Sequence, residues 1–351
     1  MHMRLRPIVL ATLALLPASG LQHAEACSRA VYFGKEGQTV TGRTMDWVED
    51  MQSNLYLMPR GMEHTSNTKT PFTWTSKHGS VITSIYSGGT ADGMNEKGLV
   101  ANMLYLSESS YPAPSPDDKR ATLSIAAWAQ YVLDSYATVA EAVEGMKEEP
   151  FRIVPVTAPS GHAGTVHLAV SDPTGDSAVF EYINGTLTVH HGREYQVMTN
   201  SPTFDKQLPL NDYWKSIGGT VMLPGTNRAS DRFARASFYI NAVEQSADPR
   251  EAVAAVFSVM RNVSVPRGIS TPGQPNIAST LWRTYSDQKN KVYYFEDTFS
   301  PSAVWVDLKK LDFGAGSGVR MIQLVGNPDL GGNQTAAFKP TTMFKFLVPK
   351  E

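Results

Sequence analysis

A single cysteine, Cys27, stands in a chain of 351 residues, within the stretch HAEACSRAVYFG at 23–34. No disulfide can form inside such a chain, so buried apolar surface and hydrogen bonds must hold the fold. The residues before Cys27 carry the marks of an export signal. Arg4 and Arg6 precede an apolar run from Ile8 to Leu16, Pro17 and Gly20 break it, and small residues stand at Ala24 and Ala26. A basic start, a short apolar centre and an A-x-A ending describe a secretory signal peptide cleaved before the next residue. The apolar run falls short of the ~20 residues that a membrane-spanning helix requires. Residues 1–26 are therefore expected to be a signal peptide, residues 27–351 the exported mature chain, and no membrane anchor is expected. Lipid attachment to Cys27 is the alternative, but the usual Leu three residues upstream of the cysteine is missing. Exported proteins ordinarily use cysteines in pairs. A lone one is an inert core residue, pairs with another chain, or stays reactive, and its placement at the cut favours reactivity.

The mature stretch is long enough for one large core. A net charge of −2 without basic blocks excludes nucleic acid as an expected partner. The eight histidines are scattered, and His190-His191 falls on a strand without partners, so neither a metal nor an organic cofactor is expected. Strand patterns cover 28–34, 39–47, 53–60, 81–86 and 98–106, with ADGMNEKG read as a turn between the last two. Helical spacing covers 121–136 and 138–147. A meander over 165–171, 177–183 and 186–192 turns on Asn184-Gly185, a strong hairpin signal. Helices are expected over 229–243 and 249–263, the second opened by Pro249, and strands over 279–287, 291–297 and 303–308. Hairpin-linked strands alternating with helix pairs argue for antiparallel sheets covered by helices.

Cleavage before Cys27 would give one residue both a thiol and a free α-amine. The amine, with an ordinary pKa of about 7.7–8.0, can take the proton of the thiol, so no separate histidine is required. In GRTMDW, Arg43 can favour a thiolate and Asp46 can hold the amine. Residues three apart on a strand face opposite sides, so a bulge or turn is needed if both are to serve one site. In MTNSPTFDKQ, Asn200 can donate to a developing oxyanion. Arg228, Arg232 and Arg235 crowd the start of the 229–243 helix, where Ser230 can cap and Asp231 suits the first turn. Three cations there oppose the helix dipole, so at least one is expected to have another task.

The ordered set of Cys27, GRTMDW, NEKGL, TNSPTFD, LPG…SDRFARA and KVYYFED resembles the choloylglycine hydrolase family of N-terminal nucleophile (Ntn) hydrolases, which contains bile salt hydrolases and penicillin V acylases. The resemblance runs from Cys27 to about Phe313. It implies an α+β fold, a four-layer αββα sandwich of two antiparallel sheets. It also implies Cys27 as nucleophile and base in one, Arg43 and Asp46 beside it, Asn200 at the oxyanion, and Arg232 supporting the site. Tyr105 stands where bile salt hydrolases carry a second oxyanion asparagine, so its backbone N–H is expected to serve the oxyanion in place of that side chain, and Asn102 is off by one turn of the pattern. The short stretch between TNSP and LPG, together with the leader, is similar to the Gram-negative branch, which implies a periplasmic penicillin V acylase-like enzyme and weakens the family's tetramer to an open expectation.

The expected reaction is hydrolysis of linear, non-peptide amide C–N bonds in a small acyl-amide substrate. Trp47, Met51, Met58 and Tyr105 are expected to line an apolar acyl pocket. Phenoxyacetyl penicillin and long-chain acyl homoserine lactones both fit such a pocket. A conjugated bile salt hydrolase, or a binding protein with a dead site on the same fold, remain as alternatives.

Overall fold

Alternating β-branched, small and aromatic residues make Ser28–Phe33 (β1) and Thr39–Asp46 (β2) an antiparallel pair. The computed structural model describes residues 27–159, 161, 163–269 and 279–349, so the expected signal peptide lies outside the described residues. Leu55–Met58 (β3), Ser80–Ile85 (β4), Gly89–Asn95 (β5) and Val100–Tyr105 (β6) form an antiparallel meander. Val166–Ser171 (β7), Ser177–Ile183 (β8) and Thr186–His191 (β9) extend it beyond β6. The β8–β9 turn places Asn184 and Gly185 at φ 51° and 78°, the paired left-handed conformation that this hairpin needs.

Val197–Met198 (β10), Thr280–Asp287 (β11), Val292–Asp297 (β12) and Ala303–Asp307 (β13) join β1 and β2 in the other sheet. That sheet has seven strands in the order β10–β1–β2–β11–β12–β13, closed at the edge by Gly332–Asn333. The second has nine, running β9 to β3 in reverse order and then Arg320–Ile322 and Lys339–Pro340. Apolar side chains from both sheets, among them Leu55, Leu57, Val81 and Leu104, meet between the layers.

Ile125–Ser135 (α1) and Val139–Lys147 (α2) cover the outer face of the nine-stranded sheet. Phe204–Ile217 (α3), Ala229–Ala242 (α4) and Pro249–Asn262 (α5) lie on the other side, where α4 and α5 pack on β1 and β2. Their starts are built as their residues dictate. Ser124 and Thr138 cap α1 and α2, and Asp248 accepts from the Arg250 and Glu251 N–H groups ahead of α5. The result is the expected αββα sandwich.

Four readings of the sequence need correction. ADGMN is not a turn but most of β5, a buried central strand. Its Gly93 is there for close approach: a Cβ would sit 2.8 Å from Ile82 Cγ2, Leu133 Cδ1 and the Val81 carbonyl. Helix α3 went unread because Pro209 lies inside it and its apolar face is short. Ser230 does not cap α4; Arg228 holds the cap position without a side-chain bond, and Asp231 accepts from Thr226 instead. Met58 lies in the helix-side core with Tyr56, because alternation along β3 sends only Leu55 and Leu57 between the sheets.

Candidate active site

Cys27 directly precedes β1, and β1 lies between β10 and β2. The chain leaving β10 runs into Thr199 and Asn200, so sheet order brings Asn200 to the start of β1. The Cys27 N–H donates to Asn200 Oδ1 at 2.5 Å. Arg232 Nη2 donates to the same oxygen at 2.8 Å. A guanidinium only donates, so the atom facing it must be the amide oxygen. That assignment turns Asn200 Nδ2 toward the Tyr105 carbonyl, 2.7 Å away. Asn200 therefore presents an acceptor to the Cys27 nitrogen.

Arg232 is the hub of this arrangement. Its Nη1 donates to the Cys27 carbonyl and to Ser28 Oγ, each at 2.6 Å, and its Nε to the Asn227 carbonyl at 2.9 Å. Asp46 Oδ2 lies 4.0 Å from Nη1. The carboxylate also accepts from Thr280 at 2.5 Å and from Thr44 at 3.2 Å. Arg232 thus has the separate task expected of one of the three cations, and Arg235 has another, donating to the Pro224 and Thr226 carbonyls.

Arg43 and Asp46 sit on opposite faces of β2, as their spacing demands. The ladder is irregular at this end: β11 carries a bulge between Thr280 and Trp282, opposite Asp46 and Met45. Arg43 shares its face with the Cys27 sulfur, which lies 4.0 Å from Met45 Sδ and 3.7 Å from the Asp46 carbonyl. The Arg43 guanidinium stacks 4.5 Å over Trp282 and donates from Nη2 to the Met103 carbonyl at 2.8 Å. Among the described residues its Nε and Nη1 meet no hydrogen-bond partner, although both are buried. Sulfur and nitrogen of one residue are thereby separated, the thiol toward Arg43 and the main chain toward Asn200 and Arg232.

Burial pushes the Cys27 thiol up from its ordinary value, with Arg43 the strongest opposing influence. Burial likewise raises Asp46 to about 6, opposed first by Arg232 and then by its hydroxyl donors. A desolvated thiol is a neutral one until a base takes its proton.

The thiol opens onto a narrow apolar cavity of about 80 Å³. Trp47, Met51 and Tyr105 line it as expected, with Ile85, Met103 and Leu347. Met58 does not reach it. Trp47 is held by a 2.7 Å bond from Nε1 to the Tyr86 hydroxyl, which in turn donates to Glu49 at 2.5 Å. A larger cavity, about 650 Å³, lies across Trp47, but neither Cys27 nor Arg43 lines it. Asn102 stays out of the site, bonded to buried Asp92 at 2.6 Å.

The sequence reading missed Thr280, Tyr86 and a buried pair behind Asn200. His167 Nε2 lies 2.8 Å from the Thr199 carbonyl and Nδ1 2.8 Å from Glu181, whose carboxylate accepts from the Phe204 N–H at the start of α3. A carbonyl only accepts, so Nε2 carries hydrogen. None of these residues stands near its partner in sequence, and their types have no motif; β7, β8, β11 and the turn after β4 bring them in.

A family profile described as linear amide C–N hydrolases, choloylglycine hydrolase family, matches residues 27–320. The chain belongs to that family. This choloylglycine hydrolase family member is 46% identical over 352 aligned residues to a penicillin V acylase from Pectobacterium atrosepticum, covering 92% of each chain. It is similar to the solved structure of a penicillin V acylase from Agrobacterium tumefaciens, at 54% identity and a TM-score of 0.85, covering 92% of this chain and 100% of that one. A conjugated bile acid hydrolase from Clostridium perfringens shares the fold, at 24% identity and a TM-score of 0.74, with 88% and 99% covered. The protein is a hydrolase of linear amide C–N bonds on an Ntn scaffold.

Proposed function

We propose that the chain is matured by cleavage before Cys27 and hydrolyses amides of slender apolar or aromatic acids, penicillin V and acyl homoserine lactones being the candidate substrates. The observation that carries the reading is the split environment of Cys27: its sulfur faces an apolar cavity beside Arg43 while its nitrogen is held by Asn200 Oδ1. Once freed, the α-amine takes the thiol proton, and Arg43 stabilises the thiolate. Sulfur attacks the amide carbonyl carbon, and the C=O electron pair moves onto oxygen. The second hydrogen on Asn200 Nδ2 serves that oxyanion. As the oxyanion collapses, the C–N bond breaks and the Cys27 ammonium returns its proton to the leaving nitrogen. Water then gives a proton to the amine and its oxygen to the thioester, which releases the acid and restores the thiol.

Asp46 and Arg232 act on the amine through charge and through Asn200. The slim cavity between Trp47, Met51 and Tyr105 favours a phenyl or alkyl acyl group over a fused steroid. The similarity to two penicillin V acylases points the same way. The leader pattern over residues 1–26 supports export to the periplasm as part of the same proposal.

The test is N-terminal sequencing and intact mass of the exported protein, then initial rates with penicillin V, dodecanoyl homoserine lactone and glycocholate. A mature chain beginning at Cys27 that cleaves the first two faster than the third supports the reading. A different N-terminus, or turnover preserved in Cys27→Ala, refutes it. A wild type that binds these ligands as well as Cys27→Ala does, without turnover, makes the protein a binding module.

A further inference from the structure

Residues 341–349 cross the nine-stranded sheet without helix or strand structure. They lie beyond residue 320, where the family match ends, yet they complete the cavity that holds Cys27. Two aromatic residues anchor the strap. The Phe344 ring meets Tyr56 edge-on at 5.2 Å, and Phe346 is buried beside Trp74 at 6.0 Å. Two main-chain bonds then fix the next residue: the Leu347 N–H donates to the Gly88 carbonyl at 2.7 Å, and the Leu347 carbonyl accepts from Ser124 Oγ. Gly88 permits this approach, since a Cβ there would lie 2.8 Å from Leu347 Cγ. The Leu347 side chain is thereby turned into the cavity wall.

The layers set the direction of the cavity. Cys27 and Arg43 enter from the seven-stranded sheet. Leu347 enters beside Ile125 and Ala126 at the start of α1, on the far side of the nine-stranded sheet. Thiol and Leu347 are thus at opposite ends, and an acyl chain whose carbonyl sits at the sulfur points its tail toward the strap. We infer that Leu347 is a specificity-determining residue that limits the length of the acyl group, through a C-terminal strap outside the family's common stretch. This rests on the acyl-amide reading above. A strap held at Phe344 and Phe346 presents a fixed stop, so its side-chain size translates into chain-length preference.

The experiment compares kcat/KM for hexanoyl to dodecanoyl homoserine lactones in wild type, Leu347→Val, Leu347→Ala, Leu347→Trp and, as control, Val348→Ala, whose side chain does not line the cavity. Leu347→Ala is expected to raise the dodecanoyl-to-hexanoyl ratio by roughly tenfold, the low end of what one methylene is worth in an apolar pocket. Leu347→Val is expected to raise it less, and Leu347→Trp to lower it, with Val348→Ala unchanged. Thermal melting confirms that each variant is folded, and Leu347→Val carries the test should Leu347→Ala lose the fold. Folded variants that all keep the wild-type ratio overturn the inference while leaving the acyl-amide reading intact. A wild type that cleaves no member of the series overturns both.

Discussion

Replacing Arg232 by Met removes a fully buried cation, leaves the Cys27 and Asn227 carbonyls and Ser28 Oγ without their donor, and leaves Asn200 Oδ1 with the Cys27 N–H alone. It also strips Asp46 of the charge that most opposes its desolvation. Breaking a buried ion pair from one side costs about 3–5 kcal/mol, which lowers the melting temperature by roughly 5–15 °C. The loss should depend on pH with a definite sign. Burial holds the folded-state pKa of Asp46 at about 6, above its unfolded value of about 3.9. The folded protein therefore binds this proton more tightly. Its stability falls as pH rises from about 4 to about 6, by about 3 kcal/mol in all, and this contribution is flat above. Without Arg232 the folded pKa moves higher and the falling limb extends. The gap between wild type and Arg232→Met should then widen by about 1.4 kcal/mol for each pH unit above about 6, until the variant's own pKa is passed. Urea unfolding of both proteins, followed by tryptophan fluorescence from about pH 5.5 to about pH 8, measures the gap. A gap that stays constant over that range, or no gap at all, would refute the coupling of Arg232 to Asp46.

Gly93→Ala should destabilise by about 1–3 kcal/mol through overpacking, since the new Cβ meets Ile82, Leu133 and the Val81 carbonyl at 2.8 Å; an unchanged urea midpoint counts against the packing argument. His167→Phe leaves the Thr199 carbonyl short of a buried donor and removes the Nδ1 contact to Glu181, and a loss of about 1–3 kcal/mol is expected in the same assay. Trp47→Phe keeps a ring in the cavity but loses the bond to Tyr86. KM for the preferred acyl amide should rise about fivefold, the equivalent of about 1 kcal/mol, with kcat little changed; a collapse of kcat alone would mean that Trp47 acts on the reacting bond instead.

Much of the strand and helix plan was legible because it is local. Asn184-Gly185 demands a hairpin wherever it stands between alternating runs, and Pro249 after Asp248 opens a helix on its own chemistry. The errors came where distant residues override local preference. Gly93 and Asn95 read as turn residues, but the close approach of β4 and α1 makes Gly93 a strand residue, and Asn95 side-chain bonds to the Leu133 and Tyr136 carbonyls hold it buried. Met58 has the right chemistry for the pocket and the wrong parity along β3.

The site divides in the same way. Cys27, Arg43, Asp46 and Asn200 could be put forward from residue type, because nucleophile, cation, carboxylate and amide carry their chemistry in the side chain, and the family resemblance picked Arg232 from three crowded arginines. Which atom each offers was beyond the sequence. Only the placement of β10 beside β1 turns Asn200 Oδ1 to the Cys27 nitrogen, and only the two faces of β2 send Arg43 to the sulfur while Asp46 joins Arg232. Thr280, Tyr86, His167 and Leu347 have no local signal, because their roles arise from contacts across sheets or along a strap. Side-chain chemistry is a property of the residue and can be read in order along the chain. Orientation and partnership are properties of the packed layers, and these exist only once the two sheets have closed.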